Sequence, residues 1–273
     1  MTGLVDVGSG PPLVLVAGVQ GRWEWMGPAV HHLSRYCRVL TVSLAGEPGS
    51  GRDYDPLRGF DNYLEQIDDL MARANLRDAA VCGVSFGGLI ALYWASRRPE
   101  ATRSLVLAST PAPEWRPDCR IEWYLRAPRL LSPLFAAQSP FRVGPEIWQA
   151  FDHLGLRLRF AASHLATVVR HPFSPTRMAT RAKLMADGTV DFATACDHVS
   201  APTLVVTGEP GLDRVVAVEG TRRYAERIQG AKAHTIAGTG HLGLVTKPAQ
   251  FAETVGQFVI EHTRQPEPLQ KPA

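Results

Sequence analysis

Residues 79–95 read AAVCGVSFGGLIALYWA, an apolar run, then a serine set between glycines, then a second apolar run. The first run is short and dense enough for a strand buried on both faces, while the second is long enough for a helix. A strand that passes straight into a helix must turn sharply, and Gly83 and Gly87 remove the Cβ atoms that would clash in such a turn. The turn drives the hydroxyl of Ser85 out at the carboxyl end of the strand. In an open α/β sheet that edge is where loops converge on ligands.

The rest of the chain supplies the sheet. Residues 12–18 (PLVLVAG) and 38–44 (RVLTVSL) read as buried strands, with a helix-like segment over 25–36 between them. Residues 61–76 space Tyr63, Leu64, Ile67, Leu70, Met71 and Ala74 along one helical face. Residues 103–110 form a fourth strand, and strand–helix pairs follow at 203–208 with 217–229 and at 232–237 with 248–262. This alternation predicts right-handed βαβ units and a mostly parallel, doubly wound α/β sheet. Residues 111–200 break it, with many prolines and aromatics, several helix-like pieces and no strand.

The motif Gly83-Val84-Ser85-Phe86-Gly87 matches the G-x-S-x-G nucleophile elbow, and in its strand–turn–helix setting the chain resembles the α/β-hydrolase family. A serine hydroxyl is a poor nucleophile until a base takes its proton and a third group holds that base. The resemblance implies the chain order nucleophile, acid, histidine. Asp213, in the loop after residues 203–208, stands where the family carries its acid. It falls two residues later than the usual spacing, which leaves Glu209 as a rival. His241 lies in AGTGHLG, flanked by glycines before the last helix.

The resemblance also implies two backbone donors for an oxyanion. One is the N–H of Phe86; the other falls on Val19 in VAGVQG, where Ala17 replaces the histidine usual in the family. Few residues precede the first core strand, so one or both of the family's leading antiparallel edge strands should be shortened or missing. The expected division is a core of residues 1–110 and 201–263, a helical lid of 111–200 inserted after the fourth core strand, and a flexible tail of 264–273.

The lid segment carries an excess of aromatic side chains, which suggests an apolar pocket, with Trp123 and Trp148 as candidate substrate contacts. It also carries Arg116, Arg120, Arg126, Arg129, Arg142, Arg157, Arg159, Arg170, Arg177 and Arg181. Most such arginines belong to solvated helix faces, but one or two turned inward would bind a substrate carboxylate or phosphate. Which ones turn inward is not written in the sequence.

Composition narrows the partners. With 29 basic and 26 acidic side chains, the net charge of +3 gives no reason to expect a nucleic acid or an anionic membrane. No apolar run approaches the ~18 residues of a membrane span, and the first residues lack a secretory pattern, so a cytoplasmic protein is expected. Cys37, Cys82, Cys119 and Cys196 are widely spaced, which suits reduced thiols. Neither a dinucleotide nor a phosphate loop is present, and adjacent His31 and His32 point apart on a helix, so no cofactor or metal is expected. A monomer or homodimer acting on a small molecule fits this picture.

The leading functional expectation is a serine hydrolase that cleaves a carboxylic ester through an acyl-enzyme. The alternatives are hydrolysis of a carbon–carbon bond in a diketone-like substrate by the same three residues, and ligand binding without turnover on a hydrolase scaffold. Ser85 at the elbow separates the chain from dehalogenases and epoxide hydrolases of this fold, which carry Asp there.

Overall fold

The computed structural model describes residues 3–263; the tail expected from 264 lies outside the described residues. Seven strands form one sheet: β1 (Val5–Val7), β2 (Pro12–Val16), β3 (Arg38–Thr41), β4 (Ala79–Val84), β5 (Thr102–Ala108), β6 (Thr203–Thr207) and β7 (Lys232–Thr235). Their order is β1-β3-β2-β4-β5-β6-β7. Only β1 runs antiparallel, pairing Val5 with Thr41 and Val7 with Val39 on β3. A single three-residue strand is thus what leads into the parallel core.

The core strands are mostly apolar because both faces are covered. Every residue of β4 and of β6 is buried. The edge strand β7 carries Lys232 and His234 and is exposed along its length, which discourages pairing with a further strand.

Around the sheet lie α1 (Gly27–Leu33), α2 (Asp61–Arg73) and α3 (Phe86–Arg97) in the first half. The connection from β5 to β6 holds α4 (Cys119–Arg126), α5 (Pro128–Ala137), α6 (Ser139–Ala150), α7 (Leu154–Arg170), α8 (Pro175–Ala186) and α9 (Phe192–Asp197). The chain then adds α10 (Val218–Arg227), α11 (Gly243–Thr246) and α12 (Pro248–Glu261). Helices α2, α3, α9 and α10 pack against one another in one group, and α1, α11 and α12 in another. Helix α3 is buried on nearly every side, from Phe86 to Ala95, which explains why its sequence shows no polar stripe.

Within the insertion, α9 differs from the helices before it. Phe192, Ala195 and Cys196 join the main hydrophobic core, and the Phe192 ring sits 5.2 Å from that of Phe60. Helices α5 and α7 contain no buried residue at all. Segments α4 to α8 are therefore a thin layer of helices, laid over the strand ends rather than folded around a core of their own.

Candidate active site

The elbow has the geometry its sequence demands. Ser85 sits between β4 and α3 with φ 55° and ψ −123°, a conformation costly for a residue with a side chain. The surrounding contacts enforce it: Ser85 N–H donates to Ala108 O at 2.8 Å, and Gly88 N–H donates to Ser85 O at 2.8 Å. A Cβ at Gly83 would meet the carbonyl oxygen of Gly87 at 2.1 Å, and one at Gly87 would meet that of Val16 at 2.4 Å. Only glycine lets the strand, the turn and β2 approach this closely.

Ser85, Val19 and Phe86 line one cavity of about 170 Å³. Phe86 is the first residue of α3, so its N–H has no intrahelical acceptor. Val19 occupies the turn closed by Gly21 N–H donating to Gly18 O at 2.9 Å.

Asp213 and His241 meet, with His241 Nδ1 3.3 Å from Asp213 Oδ2. The other carboxylate oxygen of Asp213 accepts the N–H groups of Val215 and Val216, each at 2.9 Å. The rival acid is used elsewhere: Glu209 Oε1 accepts the Gly238 N–H at 2.7 Å and braces the turn that leads to the histidine. No hydrogen bond joins the Ser85 hydroxyl to His241, although His241 shares a small cavity wall with Val84, the residue before Ser85.

Electrostatics sharpen the pair. Burial would push the Asp213 carboxyl up, but the field and hydrogen bond of His241, with the two backbone donors, hold it below its ordinary value. Burial would likewise push His241 down, yet the charge of Asp213, its hydrogen bond and the charge of Glu146 carry it above 6.5.

Of two buried ionic residues here, Glu146 escaped the sequence reading, and Arg181 was named only as one of ten arginines in the insertion. Glu146 reaches from α6 and is 1% exposed. It accepts the Leu242 N–H at 2.8 Å and the Thr246 hydroxyl at 2.9 Å, so the insertion grips the histidine loop. Burial raises its carboxyl above the ordinary range against those hydrogen bonds. Arg181 reaches from α8 and is also 1% exposed. It donates to Val19 O at 3.0 Å and to Ala45 O at 3.4 Å, and it pairs with buried Glu47 at 2.9 Å. Gly21, at φ +77°, has to be glycine beside it, since a Cβ there would lie 2.4 Å from the guanidinium. Where Ala17 offers the Val19 loop only a methyl group, a lid arginine braces it. The sequence signal was faint: ordinary charged residues on helices with many others.

Two expectations are corrected. Trp123 and Trp148 lie outside the Ser85 cavity, 44% and 64% exposed. Arg120, Ile121, Tyr124 and Leu125 form the inward face of α4, and the helical period then turns Trp123 outward. Trp148 instead stacks beneath the Arg157 guanidinium at 3.7 Å. The aromatic lining contributed by the insertion comes from Trp115, Tyr124, Phe135 and Phe173.

Comparison with known proteins agrees with this architecture. Residues 13–254 match the Alpha/beta hydrolase family, and the chain belongs to it. Among curated relatives, a 2-hydroxymuconate semialdehyde hydrolase from Pseudomonas sp. (strain CF600) is 27% identical, covering 95% of this chain and 90% of its own. A pimeloyl-[acyl-carrier protein] methyl ester esterase from Xanthomonas campestris pv. campestris (strain B100) is also 27% identical, over 93% of this chain and 96% of its own. An esterase from Exiguobacterium antarcticum shares the fold with a TM-score of 0.75 at 21% identity, covering 94% of both chains. No helix among the described residues is long and apolar enough to cross a membrane.

Two measurements test this electrostatic reading. NMR titration of His241 should give a midpoint above 6.5, and Glu146→Gln should lower it by removing one favourable charge. Because the folded value is raised, this histidine adds stability below its unfolded pKa of about 6.5, and the contribution fades as pH climbs through the folded value. Arg181→Met takes this donor from the buried Glu47 carboxylate and from the Val19 and Ala45 carbonyls, and should cost about 3–5 kcal/mol in urea unfolding. Arg177→Met, which removes the half-exposed second partner of Glu47, should cost less.

Proposed function

We propose that the protein is a serine hydrolase that cleaves carboxylic esters through an acyl-enzyme, with Ser85 as nucleophile, His241 as base and Asp213 as its orienting acid. The observation that carries the reading is the Asp213–His241 contact at the sheet edge where the strained Ser85 elbow opens into an apolar cavity.

The chemistry follows from the positions. His241 Nδ1, held by Asp213, leaves Nε2 as the proton acceptor. That nitrogen takes the Ser85 proton as Oγ attacks the acyl carbon, and the carbonyl electrons move onto the oxygen. The N–H groups of Val19 and Phe86 stabilise that oxyanion. Its collapse breaks the ester bond, and the imidazolium returns the proton to the departing alcohol. Water, deprotonated by the same imidazole, then attacks the acyl-enzyme and frees the acid and Ser85. The serine–histidine hydrogen bond absent from the unliganded site is one that commonly tightens only when substrate binds. The insertion, as a lid, closes the cavity over the reacting groups and excludes water.

The cavity wall supports a small to medium apolar or aromatic substrate. Hydrolysis of a carbon–carbon bond is the second reading, favoured by the similarity to the 2-hydroxymuconate semialdehyde hydrolase. A panel of short activated esters beside vinylogous diketones separates the two by kcat/KM.

Ser85→Ala should lower ester turnover by about 10⁴-fold or more, with thermal unfolding little changed. Turnover by that variant at the unmodified rate would remove the serine mechanism. A raised His241 pKa also places the acid limb of kcat/KM above 6.5, because the base must be neutral.

A further inference from the structure

Among the described residues, the arginines that face the cavity are Arg120, Arg142 and Arg214, and no Asp or Glu lines it with them. Arg214 donates to Phe141 O at 3.3 Å, which brings it beside Arg142, and Arg120 lies near enough to repel the charge of Arg142. None of these guanidinium groups forms a salt bridge within the described residues.

Arg142 carries the argument. It is half-buried, stacks over Phe135 at 4.2 Å and donates one hydrogen bond to Gln138 Oε1 at 3.2 Å. Its Nε is buried without a hydrogen-bond partner among the described residues. Burial and the charge of Arg120 both work against its positive charge, offset in part by Tyr124 and Asp118. A protein tolerates such a group where a ligand supplies the missing anion. Other arginines of the insertion found acids inside the protein, as Arg177 and Arg181 did with Glu47. Within the cavity lining, Arg142 meets apolar walls and two more cations.

We infer that the cavity takes a substrate bearing a carboxylate on the far side of an apolar segment from the scissile carbonyl, with Arg142, Arg120 and Arg214 as its anion subsite. The inference builds on the ester reading but does not need turnover to be tested. Arg142, the most enclosed, would meet the carboxylate in the pocket, while Arg120 and Arg214, both exposed, would guide it in from solvent.

The experiment has two arms. In the first, calorimetry compares octanoate with octanamide on the Ser85→Ala protein, whose cavity is kept but whose nucleophile is gone. Octanoate should bind about tenfold more tightly or better, and adding Arg142→Met should close that gap. Equal affinity for acid and amide overturns the subsite. In the second, p-nitrophenyl esters with and without a terminal carboxylate are compared on the intact enzyme. The ratio of their kcat/KM values should favour the anionic ester by about tenfold, fall to near one in Arg142→Met, and be partly kept in Arg142→Lys. Arg120→Met, at an exposed position, should lower the same ratio in a protein whose folding is undisturbed. A ratio unmoved by Arg142→Met and Arg120→Met counts against the subsite. If neither ester is hydrolysed but octanoate still binds through Arg142, the subsite stands and the ester reading falls. If the neutral ester is hydrolysed well while octanoate gains nothing over the amide, the reverse holds.

Discussion

Everything at the sheet edge depends on how closely backbone approaches backbone at the elbow. With Gly83 and Gly87 in place, β4 can end, reverse through Ser85 and enter α3 within van der Waals contact of β2. That contact does two things at once. It strains Ser85 into presenting its hydroxyl at the cavity, and it brings the first N–H of α3 beside the loop that carries Val19. The cost of the strained residue is met by the buried strands on either side, which leave the chain no other path.

The insertion does more than cover this edge. Glu146 and Arg181 project from it in opposite charge states, one onto the backbone of the histidine loop and one onto the carbonyl of Val19. Each is buried, and each satisfies several partners at once, which is what makes a buried charge tolerable. The helices they come from have little core of their own, so these anchors, with the contacts of α8, are a large part of what fixes the layer. Lid position and loop geometry are therefore coupled: a displacement of α6 or α8 would release a group that the proposed chemistry needs.

The sheet and the elbow were legible in the sequence because they rest on local rules. Unbroken apolar runs mark doubly covered strands, and glycine spacing marks the turn. The Asp213 loop was legible only in outline. Two acids near one strand end, Asp213 and Glu209, are equivalent in composition, and they separate only when the first reaches the imidazole and the second a glycine N–H. The lid was the least legible part. Its helices are rich in both aromatics and arginine, so periodicity could not say which face turned inward. Trp123 faces away while its neighbour Tyr124 faces the cavity, and Arg181 is swallowed whole while Arg129, on the adjoining helix, stays in solvent. Those choices are made by contacts distant in the chain.

The central claim is that Ser85 reacts because His241 and two backbone donors converge on it. The most direct measurement is a crystal structure of the protein after reaction with a fluorophosphonate. The account predicts a phosphonyl group on Ser85 Oγ, with one oxygen about 2.7–3.1 Å from the N–H groups of Val19 and Phe86 and the His241 ring turned toward Oγ. An unmodified Ser85, or an adduct whose oxygen points away from both donors, would contradict it.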